Sequence, residues 1–219
     1  MAAVSRPDGP ERTGETTQGH YFTEDPDAAS RRGTVTLTLP DRTLRLTTDR
    51  GVFSPSRVDP GTKLLLMEIG SLPEGPVLDL GCGYGPIACT LAARHPGAEV
   101  WAVDVNRRAR ALTSENARAL GLEVHVAAPD EVPDHIRFAS IVSNPPIRIG
   151  KAALHELLSG WLGRLDLGGV AWLVVNKHLG ADSLSDWLAG RGHEVQRHRS
   201  RQGYRILRVS GSVPGPPGA

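Results

Sequence analysis

The stretch Val77-Leu-Asp-Leu-Gly-Cys-Gly-Tyr-Gly85 joins a short apolar segment to a loop with glycine at every second position. The apolar segment predicts a buried β-strand. Glycine allows backbone angles that other residues rarely adopt, and it lets the main chain approach a ligand closely. A helix is expected to begin near Pro86, where its free N–H groups favour an anion. The stretch therefore predicts a strand, a ligand-binding loop and a helix in that order.

A second motif, Ser143-Asn-Pro-Pro-Ile147, follows another apolar segment at residues 138–142. Proline fixes φ and has no N–H to donate, so Asn144 would be held rigidly at the end of a strand. Taken alone, Asn-Pro-Pro is also an ordinary turn that closes a strand. The order of the two motifs favours a functional interpretation, with one place to hold a nucleotide-like cofactor and another to present an amine to it.

Strands and helices alternate around these motifs. An N-terminal β-hairpin is expected at about 34–47, and Asp59-Pro60 predicts the start of a helix. The remaining strands are predicted near 76–80, 99–103, 123–127, 138–143, 169–175, 193–198 and 204–209, and helices near 85–95, 107–120, 151–165 and 181–190. This order predicts an α/β, Rossmann-like doubly wound sheet of seven strands, mostly parallel, with an antiparallel C-terminal hairpin strand.

Length and composition fit one soluble domain. The chain has 219 residues and a mass of 23.4 kDa, with 39% hydrophobic and 22% charged residues. We expect the domain to span 19–210, between a disordered tail at 1–18 and a flexible tail at 211–219. No apolar run is long enough to cross a membrane, and no signal peptide is evident, so a cytoplasmic location is expected. The two cysteines, Cys82 and Cys89, suggest neither a disulfide framework nor a metal site.

The net charge is only +1, which argues against a basic field over the whole surface. Arginine is nevertheless concentrated near the C-terminus, at positions 191, 197, 199, 201, 205 and 208. Two interpretations stay open. These side chains keep the edge of the sheet soluble, or they form a phosphate-binding margin on the side of the active site.

Two acids accompany the predicted cofactor site. Ligands of doubly wound sheets bind beyond the carboxyl ends of the strands, where the strand order reverses. Asp79 precedes a Gly-x-Gly-x-Gly loop, not the Gly-x-Gly-x-x-Gly of dinucleotide sites, and its charge suits a cationic amino group better than a pyrophosphate. Asp104 ends the next strand, where it can accept hydrogen bonds from ribose hydroxyls. The alternative is that Asp104 only caps the following helix.

This arrangement resembles class I S-adenosylmethionine-dependent methyltransferases. The resemblance implies that Asp79 and the loop residues Gly81, Cys82, Gly83 and Gly85 hold the methionine part of S-adenosylmethionine. It implies further that Asp104 holds the ribose and that Val105 packs against the adenine. Members usually carry an acid after the third strand that meets the adenine amino group. Ala128 occupies the expected place, and Asp130 is the candidate replacement.

Asn-Pro-Pro resembles the signature of methyltransferases that act on planar exocyclic or amide nitrogens. The lone pair of such a nitrogen is delocalised and weakly nucleophilic. The side-chain carbonyl of Asn144 and the backbone carbonyl of Pro145 can each accept one of its hydrogens and so turn the lone pair toward the methyl donor. We therefore expect Asn144, Pro145 and Pro146 to be catalytic, with Asn144 also touching the cofactor. No titrating base is required.

The wider sequence narrows the resemblance. Residues 51–62, 144–151 and 203–207 together resemble the small-domain methyltransferase family, which includes the type C guanine-N2 methyltransferases of small-subunit ribosomal RNA. The resemblance implies an N-methyltransferase that acts on the exocyclic N2 of guanosine, with ribosomal RNA or a ribosomal subunit as its partner. The resemblance does not decide the oligomeric state, and both a monomer and a dimer are possible.

Two departures keep other acceptors open. Members usually place an aromatic residue after Asn-Pro-Pro to stack on the base, and here that residue is Ile147. Phe53, or else Tyr21 or Phe22, would complete the pocket, although Phe53 could equally be a core residue. Arg148 and Lys151 suit phosphate contacts.

The bacterial ribosomal RNA enzymes also carry a further N-terminal domain, which these 219 residues do not include. A protein glutamine amide or a small metabolite is therefore the alternative acceptor. A non-catalytic binding module with the same fold is the third hypothesis.

Overall fold

A computed structural model describes residue 24 and residues 28–211. The predicted N-terminal tail and most of the predicted C-terminal tail lie outside the described residues, as do Tyr21 and Phe22. The elements follow in the order β1 (Gly33–Thr38), β2 (Thr43–Thr48), α1 (Pro60–Glu68), β3 (Val77–Leu80), α2 (Pro86–Arg94), β4 (Val100–Val103), α3 (Arg107–Ala119), β5 (His125–Ala127), β6 (Phe138–Ser143), α4 (Lys151–Leu162), β7 (Leu165–Asn176), α5 (Ala181–Gly190), β8 (Glu194–Arg201) and β9 (Tyr204–Ser210).

The strands form the predicted seven-stranded sheet, in the order β5-β4-β3-β6-β7-β9-β8, beside a separate antiparallel hairpin of β1 and β2. The strands from β3 to β7 pair in parallel, and β9 pairs antiparallel with both β7 and β8. The predicted Rossmann-like fold is therefore confirmed. The boundary of β7 differs from the prediction, because the strand begins at Leu165 opposite Phe138, before the Gly168-Gly169 pair that is typical of a turn.

Helices cover both faces of the sheet, as a doubly wound fold requires. Side chains alternate along each strand, so Val77 and Leu78 of β3 enter different hydrophobic clusters. One cluster joins the sheet to the hairpin and to α1, α2 and α3. The other joins it to α4 and α5. The two layers fix the sheet rigidly beneath the loops at its carboxyl edge.

The register of the three central strands places the two sequence motifs together. Leu80, the last residue of β3, lies opposite Val103 of β4 on one side and Ser143 of β6 on the other. The Ser143 hydroxyl also donates a hydrogen bond to the Leu80 carbonyl at 2.7 Å. The residues that follow these strand ends therefore leave the sheet side by side, at the point where the strand order reverses.

A tight turn positions the start of β9. Gln202 and Gly203 have φ of 51° and 80°, which is the backbone of a two-residue hairpin turn between β8 and β9. The turn brings Tyr204 opposite Asn176, at the end of β7 and next to the same edge of the sheet. A residue near the C-terminus thus reaches the carboxyl edge of the sheet, where the loops after β3 and β6 also lie.

Among the described residues, no helix is long and apolar enough to cross a membrane. Within the same part of the chain, no group of three or more His, Cys, Asp or Glu side chains is arranged to hold a metal ion.

Candidate active site

A cavity of about 450 Å³ opens at the carboxyl edge of the sheet. Its volume falls in the usual range for small-molecule sites. Its walls come from the segment before α1, the ends of β3, β4, β6 and β7, and the start of β9, and its residues include Val52, Phe53, Asp59, Gly81, Gly83, Asp104, Val105, Ala109, Pro129, Asn144, Pro145, Pro146, Ile147, Arg148, Leu157, Trp161, Asn176, Leu179 and Tyr204. A neighbouring cavity of about 20 Å³ lies against Cys82, Tyr84 and the same glycine loop.

The glycine loop has the backbone that the sequence predicts. Gly81, Gly83 and Gly85 all have positive φ, at 77°, 58° and 89°. A Cβ on Gly85 would also lie 3.0 Å from the Cγ2 of Thr113 in α3. The Thr113 hydroxyl donates a hydrogen bond to the Gly83 carbonyl at 2.9 Å. The loop is therefore held from behind by α3, while Gly81 and Gly83 face the cavity.

Asp104 braces the loop from the neighbouring strand. Its Oδ2 accepts a hydrogen bond from the Gly83 N–H at 2.9 Å, and its Oδ1 accepts one from the Asn106 N–H at 2.9 Å. Burial raises the pKa of Asp104. The alternative role as a helix cap is wrong, because Asn106 caps α3 by accepting from the Ala109 N–H. Asp104 thus links the loop to the cavity wall and keeps lone pairs for a ligand.

Asp79 lies beneath the loop and lines neither cavity. Its side chain is fully buried, and its Oδ2 accepts a hydrogen bond from the Ala88 N–H in the first turn of α2 at 2.9 Å. Its Oδ1 has no hydrogen-bond partner among the described residues. Burial raises the pKa of Asp79 to about 8. The fold thus places this carboxyl below the loop and outside both cavities, bonded to the backbone of α2.

Both cysteines near the loop are buried. Burial raises the pKa of Cys89 to about 12 and raises that of Cys82 as well. Cys82 borders the smaller cavity only. A buried thiol that keeps its proton is a poor nucleophile, so neither cysteine suits covalent chemistry.

The Asn144 amide is held in one orientation. Its Nδ2 donates to the Oδ1 of Asp59 at 2.9 Å and to the hydroxyl oxygen of Thr62 at 3.0 Å. Both amide hydrogens are therefore committed, and Oδ1 is the atom that can accept a hydrogen bond from a ligand in the cavity. The Pro145 carbonyl accepts from the Ile147 N–H at 2.8 Å and keeps a second lone pair. The two acceptors that the sequence predicts are thus adjacent at the cavity wall.

Three residues that hold Asn144, directly or through Asp59, were not among the predicted site residues: Asp59, Thr62 and Tyr204. Asp59 caps α1 by accepting from the Thr62 N–H at 3.0 Å, as the sequence predicts, and its Oδ2 accepts from the Tyr204 hydroxyl at 3.3 Å. A Cβ on Gly61 would lie 2.5 Å from the Tyr204 ring, so glycine is needed for this contact. In the sequence, Asp59-Pro-Gly-Thr62 and Gly203-Tyr204 contributed to the family resemblance. They did not indicate that Asp59 and Tyr204 converge on Asn144.

Most, but not all, of the residues predicted to contact the acceptor line the larger cavity. Phe53, Ile147 and Arg148 line the larger cavity, while Lys151 is exposed at the first turn of α4 and does not. The alternative that Phe53 is a core residue is wrong, because 45% of it is exposed. The predicted site did not include Leu179, which is 46% exposed and also lines the cavity. The mouth of the cavity is therefore markedly apolar.

Only some of the residues expected to contact the adenine line the cavity. Val105 and Pro129 line the cavity, but Ala128 and Asp130 do not. The other acid of this turn, Glu131, is bonded within the turn, since its carboxylate accepts from the Ala128 N–H at 2.6 Å. Among these residues, no acid stands at the wall in the place where members of the family carry one.

Three of the six C-terminal arginines form ion pairs with acids of α5 and α1. Arg197 lies 3.2 Å from Asp182, Arg205 also pairs with Asp182, and Arg199 lies 3.0 Å from Glu68. These pairs leave less positive charge for phosphate than the bare sequence indicates. The arrangement favours the interpretation that the arginines keep the exposed edge soluble.

Comparisons with known proteins agree with this geometry. Residues 43–208 match the model of the methyltransferase small domain family. The uncharacterized protein YbxB of Bacillus subtilis is 36% identical over 195 residues, which cover 87% of this chain and 97% of YbxB. The ribosomal RNA small subunit methyltransferase C of Shewanella amazonensis is 34% identical over 176 residues, which cover 78% of this chain and 50% of that protein.

Among solved structures, the fold is similar to the 16S rRNA N2 methyltransferase RsmC of T. thermophilus, in complex with AdoMet and guanosine. The TM-score is 0.67 at 25% identity, and the match covers 84% of this chain and 52% of RsmC. The chain thus spans about half the length of these named ribosomal RNA methyltransferases. The predicted family and enzyme class, a methyltransferase, are confirmed, and the chain belongs to the methyltransferase small domain family.

Proposed function

We propose that this protein is an S-adenosylmethionine-dependent N-methyltransferase and that its acceptor is the exocyclic N2 of guanosine in ribosomal RNA. The observation that carries the proposal is the fixed orientation of the Asn144 amide at the wall of the cavity, beside the glycine loop. That orientation leaves a carbonyl oxygen to accept a hydrogen from a planar amine.

The cofactor fits the residues at the edge of β3 and β4. Gly81 and Gly83 present a backbone without side chains, and Asp104 offers carboxylate oxygens for ribose hydroxyls. Val105 is 41% exposed at the wall, where it can pack against a flat ring. When bound here, S-adenosylmethionine supplies a methyl group on a positively charged sulfur.

Asn144 and Pro145 would prepare the acceptor nitrogen. An exocyclic amine conjugated with a base shares its lone pair with the π system of the ring, which makes the nitrogen a weak nucleophile. Two carbonyl oxygens that each accept one N–H hydrogen turn the lone pair out of that system and toward the methyl donor. The rate of transfer increases because the nitrogen is correctly positioned and because the carbonyl dipoles are already oriented before the substrate binds.

Transfer then forms a nitrogen–carbon bond as the sulfur–carbon bond breaks, and the sulfur leaves with the electron pair. The nitrogen carries one hydrogen too many and releases it as a proton. The Asn144 and Pro145 carbonyls each accept a hydrogen bond from the nitrogen, and water at the open cavity takes the excess proton. No side chain with a pKa near neutral is needed at Asn144.

Three observations support guanosine in RNA as the acceptor. The named relatives include ribosomal RNA methyltransferases, and the structure of RsmC contains guanosine. Phe53, Ile147 and Leu179 give the mouth of the cavity apolar surfaces on which a flipped base can pack. Arg148 stands at the same wall and suits a phosphate.

The test is to incubate the protein with methyl-labelled S-adenosylmethionine and three separate fractions from cells that lack it. These are small ribosomal subunits, soluble protein and small molecules. We expect label in the RNA of the subunits, and digestion to nucleosides should place it in N2-methylguanosine. Asn144→Ala is the matched control, because it keeps the cavity and removes the carbonyl that holds the amine.

Other outcomes would overturn the proposal at different levels. Label found only in protein, on a glutamine amide, or only in a metabolite would reject the RNA acceptor and keep the enzyme class. A protein that binds no S-adenosylmethionine in calorimetry, and labels nothing, would be a binding module with this fold.

A further inference from the structure

The Asn144 amide owes its orientation to residues that do not belong to the Asn-Pro-Pro motif. The Oδ1 of Asp59 accepts two hydrogen bonds, from the Asn144 Nδ2 at 2.9 Å and from the Thr62 backbone N–H at 3.0 Å. The same carboxylate accepts the Tyr204 hydroxyl through Oδ2. The cap of α1 and the amide of Asn144 therefore share one oxygen atom.

This sharing prevents the amide from turning over. The Thr62 N–H always requires an acceptor at the Oδ1 position, because a helix leaves its first N–H groups without partners. An acceptor fixed there cannot receive the carbonyl side of the Asn144 amide. The Nδ2 must face Asp59, and the carbonyl must therefore face away from Asp59.

We propose that Asp59 and Tyr204 are positioning residues, which act through Asn144 to hold its carbonyl toward the acceptor amine. Tyr204 fixes the rotation of the Asp59 carboxylate, and Gly61 leaves room for the Tyr204 ring. The proposal deepens the proposed function, on which it rests for the identity of the acceptor. It requires no contact between Asp59 and the cofactor or the acceptor.

Three substitutions at Asp59 separate positioning from helix capping. Asp59→Asn keeps an oxygen for Thr62 and Asn144, and its amide nitrogen can donate to Tyr204. Asp59→Ser keeps a good helix cap, but its shorter side chain cannot also reach Asn144. Asp59→Ala removes both. Asp41→Asn is the matched charge control, since Asp41 lies in the turn of the N-terminal hairpin, bonds Arg42 and Arg94, and lines neither cavity.

The kinetic measurement uses small ribosomal subunits at saturating S-adenosylmethionine. We expect kcat within about 3-fold of wild type for Asp59→Asn and Asp41→Asn, and a fall of roughly 10- to 100-fold for Asp59→Ser and Asp59→Ala. Tyr204→Phe, which keeps the ring and removes the hydroxyl, should lower kcat by about 3- to 10-fold. The Kd for S-adenosylmethionine, measured by calorimetry, should stay within about 3-fold throughout.

A second measurement is independent of methyl transfer. In a ¹⁵N-labelled protein, the Asn144 side-chain amide is assigned by its absence from the spectrum of Asn144→Ala. The separation between its two proton signals should be kept in Asp59→Asn. In Asp59→Ala the two signals should move closer to each other. If wild type methylates none of the fractions, the proposed function fails, and this spectrum still decides whether Asp59 holds the amide.

Two results would overturn the positioning role. One is wild-type kcat in Asp59→Ser or Asp59→Ala, or amide signals in Asp59→Ala that match wild type. The other is a loss of S-adenosylmethionine affinity in Asp59→Ala as large as its loss of kcat, which would make Asp59 a ligand of the cofactor.

Discussion

The Asn144 Nδ2 donates a hydrogen bond of 2.9 Å to the Oδ1 of Asp59, a residue 85 positions earlier in the chain. The bond joins the start of α1 to the loop after β6. It gives the amide a fixed direction in a cavity that the glycine loop also lines. Substitutions at Asn144, in the glycine loop and in the cavity wall should therefore affect different quantities: the rate of methyl transfer, the affinity for the cofactor or the acceptor, and stability.

Asn144→Ala should slow transfer much more than it weakens cofactor binding. The change removes the carbonyl that holds the acceptor amine and leaves the glycine loop and Asp104 in place. We expect kcat to fall roughly 100-fold, with the Kd for S-adenosylmethionine changed by less than about 3-fold. Single-turnover kinetics and calorimetry measure the two quantities. An unchanged kcat would reject the amine-orienting mechanism.

Asp104→Ala should have the opposite profile. It removes the proposed ribose ligand and the acceptor for the Gly83 N–H, which loosens the loop. Hydrogen bonds to charged groups contribute about 1.5–3 kcal/mol each, so we expect the Kd for S-adenosylmethionine to rise roughly 10- to 100-fold. Calorimetry measures the change. A Kd equal to that of wild type would show that the ribose is held elsewhere.

Asp79 should make the folded protein less stable as the pH rises. Burial raises the folded-state pKa of Asp79 from 3.8 to about 8, so between these values the folded state binds a proton that the unfolded state has lost. The free energy of unfolding should therefore fall with increasing pH in this window, by at most about 1.4 kcal/mol per pH unit from this group. Asp79→Asn should flatten the slope, as followed by urea unfolding.

Asp41→Asn is the control for this pH dependence. Hydrogen bonds from Arg94 and Arg42 lower the pKa of Asp41, which is the opposite direction. Its stabilising effect is present above pH 3.8 and is lost only as the pH falls below that value. Wild type and Asp41→Asn should therefore show parallel slopes from mildly acidic to mildly basic pH. A slope in Asp79→Asn as steep as in wild type would contradict the assignment to Asp79.

Gly85→Ala should destabilise the protein more than Gly97→Ala. Both glycines have positive φ, 89° and 87°, which is unfavourable for alanine by about 1–2 kcal/mol. Only at Gly85 does the added Cβ also meet a neighbour, at 3.0 Å from Thr113. We expect Gly85→Ala to lower the free energy of unfolding by at least about 1 kcal/mol more than Gly97→Ala. Equal values in urea titrations would exclude the steric contribution of α3.

Leu179→Ala should weaken binding of the acceptor but not of the cofactor. The side chain is half exposed at the mouth of the cavity, so its loss affects stability little. We expect KM for the acceptor RNA to rise about 3- to 10-fold, the change expected for losing about 1 kcal/mol of apolar contact with a base. Leu167→Ala is the control, since Leu167 is 85% exposed and lines neither cavity. Equal KM values in the two variants would remove Leu179 from the acceptor site.

The sequence alone determined the succession of strands and helices and the main parts of the site. Val77–Gly85 and Ser143–Ile147 combine apolar periodicity with glycine or proline at positions where only a few backbone conformations fit, and such patterns act over short stretches of chain. The start of α1 at Pro60 and the start of α2 at Pro86 were predictable for the same reason.

Only the tertiary structure decided how these parts support one another. Asp104 bonds the glycine loop, Asp79 lies beneath it, and Tyr204 reaches Asp59 from 145 positions away. No local pattern reports such contacts, because they depend on the register of β3, β4 and β6 and on the turn that begins β9. The sequence therefore determined that an asparagine stands at the end of β6, and the fold decided which way its amide faces.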